Sequence, residues 1–464
     1  MTAAHWLYVL GVVVVLVVMG FRRNVVIPCT VFTFLVALAF TGNFVASVQA
    51  LFTAMLVAAT ELFGIFLIIS VMVAMLKAMQ ASGADSLMVA PLKRLMVSPL
   101  VSYIVLVLAT FVISMFFWPT PSVPLVGGLL VPAAVAVGLP PVMGAVAVAL
   151  AGQGMALAGD LIIQGAPGLT ASAAGVDVGL VVVKGGILTL ITGAVAIPLA
   201  YYLSRNEIRT FAQQVQEVGV AALVGDSYVV RDSALTAPHM RGTAVFLSRL
   251  TPALMILAIL GMIGFNILGG DATALLGGTA VVILVVGSLM THKASGLDEI
   301  SEYLGEGLTF AFRVMGPIIP IAGFFFLGGP DTVVRVLGDT APGFLFDIGE
   351  MVSQYIPATG VFAKFGLLIV GIITGLDGSG FSGLPLVGGL AGSLAGGSAQ
   401  AASTLGAVGQ IGAVWCGGGT LVAWSTLVAV AGICGVPVMD VLRKNVVPVL
   451  VGLFVATLVA AIVL

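Results

Sequence analysis

Charge is what this sequence has least of. Asp, Glu, Lys and Arg make up 8% of its 464 residues, against roughly 25% in an ordinary soluble domain. No soluble fold of this size could cover its surface with so little. Cysteine is equally sparse: Cys29, Cys416 and Cys434 lie in apolar surroundings, form no Cys-x-x-Cys pair and read as small packing residues. His5, His239 and His292 are far apart and form no metal box. No G-x-x-x-x-G-K-[ST] loop is present, which argues against ATP-driven pumping by this chain alone. There is no nucleophile elbow and no haem motif, so nothing points to an enzyme or to an organic cofactor. The net charge of −2 is too small to indicate nucleic acid or a polybasic membrane patch. No basic n-region precedes the first apolar run; Arg22-Arg23 follow it instead. That run therefore reads as an uncleaved helix with its N-terminus outside.

What fills the chain is hydrocarbon. Hydrophobic residues account for 60% of positions, and mean hydropathy is +1.23. Apolar runs recur from end to end, among them Val9 to Gly20, Val25 to Phe40, Leu62 to Leu76, Val101 to Phe117 and Val446 to Leu464. Runs of this kind approach the length needed to cross a bilayer. The expectation is an all-α polytopic membrane protein with roughly 11–14 membrane segments.

The sequence also resembles itself. Pro-Leu-Val-Gly-Gly-Leu occurs at Pro124–Leu129 and again at Pro385–Leu390, an offset of 385 − 124 = 261. Gly175-Val176 followed by Lys184 matches Gly435-Val436 followed by Lys444, with 444 − 184 = 260. Gly83-Ala84-Asp85 pairs more weakly with Gly329-Pro330-Asp331, with 331 − 85 = 246. Three matches in one order favour duplication, a common signature of secondary transporters. Residues 1–203 form the first repeat, 204–243 a polar cytoplasmic linker and 244–464 the second repeat. Basic connectors in the first half (Arg22, Arg23, Lys77, Lys93, Arg94) face acidic ones in the second (Asp271, Asp331, Asp339, Asp347, Glu350), while lone Lys184 faces Arg443-Lys444. Such a sign flip is what two copies of opposite orientation would show. One short segment in each half is then re-entrant.

The repeated hexapeptide is preceded by Trp118-Pro-Thr-Pro-Ser-Val-Pro124 in one half and by Gly375-Leu-Asp-Gly-Ser-Gly-Phe-Ser-Gly-Leu-Pro385 in the other. Three prolines in six positions, or that density of glycine, should interrupt a helix. Broken backbone survives in lipid only where it is buried in protein or lines a wet cavity. Half-helix N-termini there favour an anion, and loose carbonyls favour a cation. Thr120, Ser122, Gly378, Ser379, Gly380 and Ser382 are the candidate substrate-binding residues. Asp377 is the candidate coupling carboxylate, able to ligate Na⁺ or carry a proton, and equally able to cap the following helix. Na⁺ there is the one metal expected. Gln153 and Gln410 follow glycines in the next segment of each half; they line a cavity with a role in ion coupling, or tie helices together. Asp160 is expected at an interface. Glu61 and Arg313 take corresponding places and either pair across the repeat axis or sit at helix starts near the interface. Cys416–Thr420, with Trp424 and Ser425, marks a second break. Asp298, Glu299, Glu302 and Glu306 read as a solvated face.

Two inverted halves with Pro/Gly/Ser-broken segments resemble the ion transporter superfamily of bacterial secondary carriers. That group includes gluconate, citrate and C4-dicarboxylate permeases and some Na⁺/H⁺ antiporters. The closing stretch Leu421–Ser425, Gly435-Val436-Pro437, Arg443-Lys444-Asn445 and a last helix is similar to the way these carriers end. The divalent-anion branch carries Ser-Asn-Thr at both breaks, where this chain has Ser122-Val123 and Ser379-Gly380. The resemblance implies a symporter that moves a small organic anion with Na⁺ or H⁺ across the bacterial cytoplasmic (inner) membrane, often as a homodimer. A Na⁺/H⁺ antiporter of similar layout and a membrane-embedded subunit of a larger complex are the alternatives.

Overall fold

The computed structural model describes the chain except residues 22, 225–240, 266, 268, 354–359, 377, 379 and 424; some further helical residues are described by backbone alone. Among the described residues every regular element is helical. That follows from the solvent, because a helix satisfies its backbone groups within one segment. Among the described residues six helices are long and apolar enough to cross a membrane, or up to eight if two sharply bent pairs each count as one span.

The helices form two packed bodies. One holds α1 (Ala3–Gly20), α2 (Val26–Thr41), the long α3 (Phe44–Ser82) and α4 (Ala84–Lys93). The other begins with α5 (Pro99–Phe117), α6 (Pro119–Leu129) and α7 (Val131–Ala136). It continues through α8 (Pro141–Gly159, π-helical over Ala149–Ala156), α9 (Gly165–Ala174) and α10 (Val178–Leu203). The linker carries α11 (Arg205–Val218) and α12 (Val220–Val224). The chain then returns to the first body as α13 (Arg241–Gly264), α14 (Gly269–His292), α15 (Gly296–Met315), α16 (Ile318–Phe326), α17 (Pro330–Leu337) and α18 (Phe344–Ser353). It ends in the second body as α19 (Val361–Gly375), α20 (Leu384–Leu394), α21 (Ala399–Gly417), α22 (Leu427–Ile433) and α23 (Val438–Val463). In the first body α3 packs on α2, α14, α15 and α16, and in the second the principal pairs are α19 with α21 and α10 with α23. Helix starts follow local capping chemistry: the side chains of Asn43, Ser98, Asp177 and Ser398 each accept a first-turn N–H.

Element lengths repeat along with the words. α8 and α21 both span 19 residues, and α10 and α23 both span 26. The weakest sequence match falls on the two bent pairs, α3–α4 at 78° and α16–α17 at 100°. α10 and α23 lie antiparallel. Gly452, midway along α23, packs on Thr192 and Ala196, midway along α10. Lys444, near the start of α23, bonds Glu207, just past the end of α10.

Candidate functional site

Each half contributes a helical hairpin and a broken helix behind it. The first hairpin, α5 with α6–α7, opens at the linker end of the bundle: at Gly138 an added methyl would meet Ala212 of α11 at 2.8 Å and Pro99 at 3.6 Å. The second, α19 with α20, opens at the other end, where Lys364 donates to Ala460 O in the last turn of α23 at 2.7 Å. The tips meet in the interior. Trp118 and Phe381 are each 2% exposed and their ring centroids lie 5.5 Å apart.

The contacts are reciprocal. A methyl on Gly127 would lie 2.9 Å from Ile433 Cγ2, and one on Gly388 would lie 2.9 Å from Ala173 Cβ. These are repeat mates, since 127 + 261 = 388 and 433 − 260 = 173. Residue i touching j′ while i′ touches j is the signature of a two-fold axis.

The first tip differs from the expected unwound stretch. Residues Pro119–Leu129 are helical, and the reversal is confined to Trp118, at φ 63°. Pro119 and Pro121 fall where a helix's first N–H groups have no intrahelical acceptor, so proline costs little there. Ser122, 1% exposed, donates to Pro119 O at 2.9 Å and lies 3.2 Å from Ser114 Oγ. The side chain of Thr120 lies outside the described residues. The second tip is irregular between α19 and α20, with Gly378 and Gly380 at φ 89° and 73° and Ser382 3% exposed. Asp377 and Ser379 lie outside the described residues, as do Trp424 and the Glu61 side chain.

The two glutamines cross between halves. Gln410 Nε2 donates to Ala158 O at 2.9 Å, at the first break, and Thr426 Oγ1 in the second break donates to Gln153 Oε1 at 3.1 Å. Both glutamines are fully buried. Of the two sequence readings, the structure displays the tie between helices. Asn445 Nδ2 reaches Thr420 O at 3.1 Å. Among the described residues the buried amide oxygens of Gln164, Gln410 and Asn445 have no hydrogen-bond partner; such orphans are costly and call for a ligand or water.

Asp160 corrects an expectation. It is 5% exposed, at the end of α8, with a left-handed backbone (φ 40°) that turns the carboxylate inward. Its oxygens accept the N–H groups of Gln164 (3.2 Å) and Ala166 (2.9 Å), capping α9. An Asp closing an apolar run looks interfacial in sequence; the reversal that buries it carries no motif. Lys364 and Asn445 lie within helices, and their partners Ala460 and Thr420 are remote or in a break, so no local signal marks them. Arg313 is exposed, and the acidic run on α15 is solvated, with Glu306 pairing to Lys77 at 2.7 Å.

Hairpins with interior tips and broken helices behind them define a multi-pass membrane protein with a transporter-type fold. The solved structure of the YdaH transporter of Alcanivorax borkumensis, described as having an unusual topology, matches over 90% of this chain and 88% of that one, with TM-score 0.52 and 14% identity. The uncharacterized membrane protein YhfA of Bacillus subtilis (strain 168) is 37% identical over 465 residues, 99% of this chain and 98% of that protein. The chain belongs to the YhfA family of membrane proteins. No family model matches it. The comparisons support a membrane transporter fold; none supports the narrower likeness to gluconate or citrate permeases.

Proposed function

We propose that this protein is a secondary active transporter of the bacterial cytoplasmic membrane, a symporter that moves a small organic anion with Na⁺ or H⁺. The observation that carries the reading is the pair of hairpins opening at opposite ends of the bundle, with Trp118 and Phe381 in contact at their tips. The antiparallel mates α10 and α23 support two repeats of inverted topology, divided at residues 204–243. In that arrangement a central site is reached from one side or the other as the two bodies shift. Substrate meets the tips, at Thr120, Ser122, Gly378, Ser379, Gly380 and Ser382, with Asp377 beside them.

The coupling ion belongs at the first break. Asp160, with a further lone pair on each oxygen, and the unpartnered oxygens of Gln164 and Gln410 are an all-oxygen donor set near one turn. That chemistry suits Na⁺ or a proton. Gln153 and Gln410 hold the broken helices against each other, so they couple ion occupancy to hairpin position. The family's resemblance adds a homodimer. Proteoliposomes loaded with small organic anions test the reading: uptake rises under an inward Na⁺ or H⁺ gradient, and gradient-independent flux for every anion tried would remove it. The buried Asp160 also favours a second reading, Na⁺/H⁺ exchange, which dye-reported proton flux on adding Na⁺ without organic solute would select.

A further inference from the structure

Two buried lysines at the bundle end away from the linker pair with no acid among the described residues. Lys184, in the second turn of α10, is 8% exposed; its ammonium donates to Gln400 O at 2.5 Å and Thr404 Oγ1 at 2.7 Å, both in the first two turns of α21. Lys364, in the first turn of α19, is 4% exposed and donates to Ala460 O. α19 and α21 run parallel, with Gly371 against Gly409 and Ala413, and Gly412 against Leu368. That register sets Lys364 level with Thr404, the residue Lys184 reaches. An ammonium has three N–H donors; among the described residues Lys184 uses two and Lys364 one. Among the described residues neither meets a carboxylate.

The repeat supplies an internal comparison. The mates are 184 + 260 = 444 and 364 − 261 = 103. At the linker end Lys444 pairs with Glu207, and Tyr103 donates its hydroxyl to Ile197 O at 3.0 Å near the end of α10. The same framework therefore holds one ion-paired lysine and a neutral tyrosine there, but at the other end two lysines that meet no carboxylate among the described residues, Lys364 resting on a last-turn carbonyl of α23. Charge buried in a membrane protein is costly unless paired or in use.

We propose that Lys184 and Lys364 form a binding site for an oxyanion, a carboxylate or phosphate group, which supplies the negative charge that Glu207 supplies at the opposite end. The unused N–H groups of the two ammoniums are its donors. The first turn of α19, whose N-cap Gly360 brings no side chain, adds backbone N–H groups of the same sign. The site is separate from the hairpin tips and does not depend on the carrier reading. An anionic lipid headgroup and a soluble phosphate share this chemistry.

The experiment is thermal unfolding of the full-length protein in phosphatidylcholine nanodiscs, with and without inorganic phosphate, and in discs that also contain phosphatidylglycerol. Wild type, Lys184→Gln, Lys364→Gln, Lys444→Gln and Thr404→Glu are compared. Either phosphate or phosphatidylglycerol raises the wild-type midpoint, and which one does so assigns the source. Lys184→Gln and Lys364→Gln weaken that response by about tenfold or more in apparent affinity, while Lys444→Gln keeps it. Thr404→Glu, which places an acid beside Lys184 at the level of Lys364, raises the midpoint in plain phosphatidylcholine and abolishes the response. A wild type indifferent to both anions, equal loss in Lys444→Gln, or an unchanged response in either lysine variant or in Thr404→Glu overturns the site. If a Lys→Gln variant does not fold, the wild-type and Thr404→Glu arms decide.

Discussion

Replacing Gly371 by alanine tests whether α19 and α21 touch through bare backbone. The added Cβ would sit 2.2 Å from Gly409 O and 3.0 Å from Ala413 N. A relaxed carbon–oxygen contact is about 3.3 Å, so the helices must part by about 1 Å. Overpacking of that kind costs about 1–3 kcal/mol. The upper half of the range applies, because the obstacle is backbone and no rotamer can clear it. Gly366 is the control, on the same helix with nothing within 4 Å of an added Cβ. Gly366→Ala gains about 0.4–1 kcal/mol from the unfolded chain's lost freedom. The two variants are compared by denaturant-induced unfolding in detergent. Gly371→Ala should unfold at lower denaturant than wild type, and Gly366→Ala at equal or higher denaturant. Equal midpoints for the two variants would refute the contact. If α19 carries part of the substrate site, Gly371→Ala also loses gradient-driven uptake out of proportion to its stability, since a displacement of about 1 Å costs on the order of 10²-fold in a positioned site.

Three further outcomes follow. With Cys29, Cys416 and Cys434 replaced by alanine, Gly127→Cys/Ile433→Cys should cross-link, because an added Cβ on Gly127 lies 3.8 Å from Ile433 Cβ, within disulfide reach; absence of a gel shift under oxidant would contradict the packing of α6 on α22. Lys444→Gln should change unfolding free energy by less than about 1 kcal/mol, since Glu207 is half exposed and such pairs contribute little; a larger loss in an equilibrium denaturation would show that the pair clamps the linker helix. Asp160→Asn should cost about 1–3 kcal/mol by opposing an amide NH₂ to one of the two N–H groups it now accepts, and should abolish the Na⁺ or H⁺ dependence of uptake; retained dependence in proteoliposomes would take Asp160 out of the coupling.

Sequence reasoning reached furthest where local physics decides. Sparse charge forces a membrane location, and backbone satisfaction in lipid then leaves helices. The repeated words were legible in the sequence, and even the faint Gly83/Gly329 match landed on the two bent helix pairs. Pro119 and Pro121 misled, because proline breaks a helix interior but suits its first turn; where that turn begins depends on Trp118 reversing the chain.

The sequence by itself determined that this is an all-helical membrane protein, and its repeated Pro-Leu-Val-Gly-Gly-Leu marked where two interruptions fall. Tertiary structure alone decided which interruptions meet. Gln410 finds Ala158 across 252 residues, Asp160 turns inward, and Lys184 reaches Thr404 across 220 residues. The reason is that hydropathy and helix propensity act within a few turns, whereas the partner of a buried amide or charge is set by how antiparallel helices from separate halves come to lie side by side.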